Sequence, residues 1–174
     1  MRRFAPWVSM LVLVLSGCGG APSYAGWTEA RAQVATGGER AANALALGAL
    51  VFVDERASEP FAVLDADGRL HRRDCERVIA QDGSVRDAAS EALVLQVTMA
   101  WEGDAHVVDA DGALRFHVVD DRLMRADRTG AAAFDGDVMR FEGSGGIALR
   151  VEGADDAALR RTALLVVAAL SMCE

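Results

Sequence analysis

The sequence predicts a mainly β fold of the α+β kind: an antiparallel, hairpin-rich sheet or partly closed barrel packed on a C-terminal apolar helix. Three observations carry this expectation. Apolar runs are broken by Asp-Gly pairs at Gly68, Gly83, Gly112 and Gly136, and such a turn needs a positive φ that Gly takes without a Cβ clash. Several segments alternate apolar and polar residues with period two, as strands with one dry and one wet face do. From Ala163 to Leu170 the chain is apolar throughout, and a helix with no polar face is normally covered on every side.

The elements follow in chain order. Met1 to Cys18 begins with Arg2 and Arg3 and continues through a short apolar run, Trp7 to Leu15. It reads as a secretion signal, since that run is far below the roughly 20 residues needed to span a bilayer. Its end, Leu15-Ser16-Gly17-Cys18, resembles the lipobox of bacterial lipoprotein precursors. The resemblance implies that residues 1–17 are removed, that Cys18 becomes the acylated first residue, and that the protein is anchored in the cell envelope. Gly19 stands where that family's inner-membrane retention signal is usually Asp, which favours the outer membrane. Acyl chains contribute about 0.8 kcal/mol per buried methylene, so the expected partner is a membrane, held through the N-terminal anchor.

Residues 18–26 then form a Gly- and Pro-containing tether, and residues 27–174 a single globular domain. A helix is expected over Glu39 to Leu50, or the same apolar run ends in a buried strand at Leu50-Val51-Phe52-Val53. After Pro60, Phe61 to Leu64 leads into Asp65-Ala66-Asp67-Gly68, and His106 to Val108 leads into Asp109-Ala110-Asp111-Gly112. The glycines at 68, 83, 112 and 136 are unevenly spaced, which indicates hairpins of one sheet rather than a repeat of fixed period. Leu93, Leu95, Val97, Met99 and Trp101 share one strand face. Leu114, Phe116 and Val118 oppose Arg115 and His117; Met139 and Phe141 oppose Arg140 and Glu142; Ile147, Leu149 and Val151 oppose Arg150 and Glu152. Asp155 or Asp156 caps a helix over residues 156–172.

Hairpins from Phe61 onward, closed by the apolar stretch Leu159 to Met172, resemble the tubby-like group, which includes LURP-one-related and scramblase-like proteins. That resemblance rests on layout and implies a barrel of about twelve strands around a terminal helix, with lipid contact. It supplies no lipid-binding residue that can be matched in this chain.

Composition narrows the chemistry. All 18 basic residues are Arg, against 26 acidic ones, for a net charge of −8. Without Lys there is no Walker-type phosphate loop, no protein-kinase strand Lys and no Schiff-base amine. The acidic balance, deeper once Arg2 and Arg3 are removed, disfavours nucleic acid. Alanine inflates the apolar fraction of 52%, but enough larger side chains remain for one modest core.

The two Asp-x-Asp-Gly turns do not meet the EF-hand pattern, because placing Gly68 or Gly112 at loop position 6 puts Val63 or Val107 at position 1. No metal or other cofactor is expected. His71, His106 and His117 lack zinc-site spacing, and Ser144 in Gly143-Ser144-Gly145 sits in a turn between strands rather than in a nucleophile elbow. Arg72-Arg73 and Arg160-Arg161 are expected to pair with acids or line the helix start. Cys75 and Cys173, in an exported chain, suggest a disulfide, with two free thiols as the alternative. The expectation is therefore a non-enzymatic binding or structural accessory lipoprotein. A tubby-like lipid-binding or lipid-sensing barrel and a cell-envelope hydrolase are the alternatives.

Overall fold

In the computed structural model the described residues are 25–26, 45–54, 56–57, 59–99, 105–143 and 147–173. Thirteen strands precede one described helix. They are β1 (Ala25–Gly26), β2 (Leu50–Val53), β3 (Ala62–Leu64), β4 (Arg69–Arg72), β5 (Cys75–Ile79) and β6 (Ser84–Asp87). There follow β7 (Leu93–Met99), β8 (Ala105–Asp109), β9 (Leu114–Val119) and β10 (Arg122–Arg125). The last are β11 (Gly130–Asp135), β12 (Val138–Phe141) and β13 (Ala148–Glu152), then α1 (Ala157–Leu170).

Each strand from β2 to β13 pairs antiparallel with the next, and β13 returns to β2, where Val151 faces Phe52. The result is a closed barrel of twelve strands. The sheet expected from the hairpins is thus present, but its closure is complete rather than partial. The physical gain is that a closed ring leaves no unpaired edge. Register shifts at Val85/Arg86, Val107/Val108 and Leu123/Met124 help it curve, since a bulge bends and twists its strand. β1 adds beside β7, with Ala25 opposite Met99.

Alternation decides what the barrel holds. Leu70, Ile79, Val85, Val107, Leu123, Met139 and Leu149 are buried inside, while Arg86, Arg115, Arg140 and Arg150 are exposed on the wall. A membrane-spanning barrel shows the reverse pattern, apolar outward and polar inward.

The interior is filled by α1. Asp156 caps it, its carboxylate accepting from the Leu159 amide at 2.8 Å, and every residue from Thr162 to Leu170 is buried. Nine consecutive buried residues cover all faces of a helix, so α1 is enclosed by the barrel. A helix with its side chains is about 10–12 Å across, and a ring wider than the side-chain-filled eight-stranded barrel leaves room for one.

At the amino end of α1, residues 45–49 cross the opening. They are not helical, so the strand alternative at Leu50–Val53 is the one seen, while residues 39–44 of the expected helix lie outside the described residues. The Thr162 hydroxyl donates to the Ala46 carbonyl at 2.6 Å. The Leu45 amide donates to the Gln81 carbonyl at 3.0 Å. A Cβ on Gly48 would come within 2.9 Å of Leu159 Cδ2, so a side chain there would press on the helix. At the other end Cys173 is bridged to Cys75, their Cα atoms 5.9 Å apart, which ties the exit of α1 to the start of β5.

Candidate functional site at the carboxyl mouth

The two ends of the barrel differ. The amino mouth carries residues 45–49 and the start of α1. The carboxyl mouth carries the β2–β3, β4–β5 and β10–β11 connections, and there three adjoining cavities open around Arg72.

Arg72 is the last residue of β4 and Arg73 begins the turn that follows, at φ 39°. A non-glycine residue in that region is uncommon, and the strand pair leaves little choice, because β5 starts at Cys75. The Arg72 guanidinium lies 4.4 Å from the centre of the Phe61 ring, a cation–π contact that braces it across the mouth. It is not in an ion pair with a carboxylate among the described residues.

Arg77 on β5 is the half-buried centre of a tighter cluster. It forms an ion pair with Asp87 and donates to the Met172 carbonyl at 3.4 Å, while its Nε is buried without a partner. Asp87 in turn ends β6 as a turn acceptor. The Ser90 amide at 2.9 Å lowers its pKa below the ordinary carboxylate value, helped by the Ser90 hydroxyl and opposed by desolvation. A polar cavity of about 450 Å³ surrounds this cluster and the Cys75–Cys173 bridge.

The second cavity is apolar and measures about 260 Å³. Phe116, Leu123 and Phe141 form its wall, Val167 and Leu170 of α1 its inner side, and Phe61 its edge. Arg72 and Arg125 also line it. Arg125 ends β10 and donates to the Gly130 carbonyl. A third, outer cavity of about 710 Å³ runs along β3 and β4 past His71 and Arg73.

The residues singled out in the sequence distribute as follows. Cys75 and Cys173 meet in the bridge, and Cys18 and Ser144 lie outside the described residues. His71 sits between Asp65 at 3.2 Å and Glu76 at 3.5 Å. His106 and His117, opposite one another on β8 and β9, pack edge to face with ring centres 4.8 Å apart. Helical spacing rules could not have found that pair, because it exists only across two strands. Among the described residues no group of three or more His, Cys, Asp or Glu side chains is placed to hold a metal ion. Arg160 does meet an acid, Asp121 at 3.1 Å, and lies over Phe134.

The carboxylates serve the turns. Asp109 accepts from the amides of Asp111 at 3.0 Å and Ala113 at 2.9 Å and from Arg115 Nε at 2.7 Å. Its pKa is lowered first by the Ala113 amide, against desolvation. Asp127 is lowered first by the Thr129 hydroxyl at 2.6 Å and next by its amide. Among the described residues every resolved shift is downward.

The sequence marks Phe61, Phe116 and Phe141 only as strand residues, and it gives Arg125 no role. They belong to four separate segments that meet only when the ring closes. The chain matches no protein-family model, no curated protein and no solved structure.

Proposed function

We propose that this protein is a lipid-anchored component of the bacterial cell envelope whose barrel is a non-enzymatic binding module, with the carboxyl mouth as its binding face. The observation that carries the reading is the apolar cavity between α1 and the barrel wall, lined among the described residues by two arginines and no carboxylate. Small-molecule sites are concave, mostly apolar and fitted with a few polar groups, and this mouth has that character.

The anchor fits the same orientation. Ala25 follows Cys18 by seven residues and pairs with Met99 at the end of β7, the end remote from the Asp87 turn and the bridge. A lipid on Cys18 would therefore tether the amino side and leave the carboxyl mouth facing the compartment.

The test uses the full chain in bacterial cells. A photoreactive benzophenone amino acid is placed at Arg73 or, as a control at the amino mouth, at Asp135. Irradiation is expected to give discrete adducts from position 73 and not from 135, and Cys18→Ser is expected to move the protein out of the membrane fraction. Equal or absent adducts at the two positions would remove the binding face. An unchanged distribution of the Cys18→Ser chain would remove the anchor.

A second reading draws support from the closed ring around an enclosed terminal helix, the layout of the tubby-like group, and would make the barrel a lipid-binding or lipid-sensing surface. It requires that the Cys18→Ser chain co-sediment with liposomes, and a chain that stays in the supernatant rejects it.

A further inference from the structure

We infer that the apolar cavity at the carboxyl mouth binds a single-chain anionic amphiphile, its tail lying against Val167 and Leu170 of α1 and its head on Arg72 and Arg125. This rests on the reading of the carboxyl mouth as the binding face and names the ligand class that face takes.

Size, wall chemistry and charge each restrict the occupant. At about 260 Å³ the cavity lies just under the roughly 300–1,000 Å³ usual for small-molecule sites, which suits one acyl tail and is too small for a two-chain lipid. Three aromatic rings, Phe61, Phe116 and Phe141, and the aliphatic Leu123, Val167 and Leu170 line it. They offer a tail dispersion contacts and no hydrogen bonds. Among the described residues the only charged side chains lining it are Arg72 and Arg125, in a chain whose net charge is −8.

Among the described residues neither arginine is held in an ion pair. Arg72 rests on the Phe61 ring rather than on a carboxylate. Arg125 makes its hydrogen bond to a backbone carbonyl and interacts with the Asp127 charge without forming an ion pair. An incoming carboxylate or phosphate would thus meet two guanidinium forks without displacing an ion pair, and such forks bind either group bidentately. The mouth adjoins the polar cavity lined by Arg73, Arg77, Asp74 and Asp87, where Arg77 is already paired with Asp87, so a head larger than a carboxylate has space there and Arg73 as its nearest further cation. The bridge from Cys173 to Cys75 holds the last turn of α1 in place as the inner wall.

Isolated membranes carrying the full chain test this with three diazirine-tailed probes of equal chain length: a fatty acid, a lysophosphatidylglycerol and a neutral monoglyceride. After irradiation, labelled peptides are expected to contain Phe116, Phe141 or Leu170, with the neutral probe at least tenfold weaker. The stronger of the two anionic probes tells a carboxylate from a phosphate head. Ala131 also lines the cavity; Ala131→Phe, which fills it, and the pair Arg72→Glu with Arg125→Glu, which reverses its charge, should each cut labelling at least tenfold. Both are compared at an unchanged melting temperature and with the bridge intact. The charge pair sits at the mouth and stands alone if the Phe variant fails to fold. Equal labelling by the neutral probe, labels spread over the outer wall, or no labelling would overturn the amphiphile assignment. If adducts at Arg73 persist in cells while these probes fail, the ligand class falls and the binding face stands.

Discussion

Thr162 is the one polar residue within the buried part of α1, and its hydroxyl donates to the carbonyls of Ala46 at 2.6 Å and Ala158 at 3.2 Å. Replacing it with Val keeps the shape but leaves the Ala46 carbonyl without its donor. A buried polar group in that state costs about 1–3 kcal/mol, so Thr162→Val should lower stability to chemical denaturation by that amount. Asp109 is a second such residue, about 8% exposed yet fully engaged by two amides and Arg115. Its lowered pKa, and those of Asp87 and Asp127, set the sign of the acid response. A carboxylate held below its unfolded value stabilises the fold above that value, and the contribution is lost as pH falls through the lowered folded values. The melting temperature should therefore stay level between pH 7 and 5 and fall below about pH 4, with a shallower fall in Asp109→Asn. The reading of Asp109 and Asp67 as turn acceptors was available in the sequence, since Asp two residues ahead of a turn amide is a local pattern. The role of Thr162 was not, because its partner lies 116 positions away.

Among the elements, the hairpins divide by their turn residues. Those with Gly at positive φ, at Gly68, Gly83, Gly112 and Gly136, were legible from Asp-Gly pairs. Others place Arg73, Glu91 and Arg128 in the left-handed region, where those residue types carry no signal, so β4 to β5 and β10 to β11 could not be separated by pattern. Helix α1 was legible because its apolar run admits no solvent-facing side. A charge on it has nowhere to go: Ala168, fully buried, changed to Asp should abolish folding, seen as loss of the cooperative melting transition. The Cys75–Cys173 bridge spans 98 residues, for which the chain-entropy account gives about 4.7 kcal/mol and removal of native bridges about 2–5 kcal/mol. The double variant Cys75→Ser, Cys173→Ser should lose stability in that range and melt several degrees lower. A melting temperature equal to that of the unreduced protein would show that the bridge does little for the fold.

For the whole molecule the deciding event is the pairing of β13 with β2, two strands separated by most of the chain. Period-two alternation shows that strands have a dry face but cannot show which distant edges meet, so the pattern alone reached a hairpin-rich sheet or partly closed barrel, and only the resemblance of layout implied a full ring. The site shares that fate. Arg72 stood out as part of a basic pair, but Phe61, Phe116, Phe141 and Arg125 become a mouth only when the ring brings their strand ends together. Enclosure of α1 inside the ring is what leaves the carboxyl mouth as the place where a cavity meets charge. Hydrogen–deuterium exchange on the full chain measures that enclosure most directly, because an amide walled in on every side exchanges only through global unfolding. The amides of Leu164 to Leu170 should exchange as slowly as those of Leu70, Val107 and Leu149 in the wall. Exchange of those helix amides well ahead of the strands would place α1 on an open face and contradict the enclosed barrel.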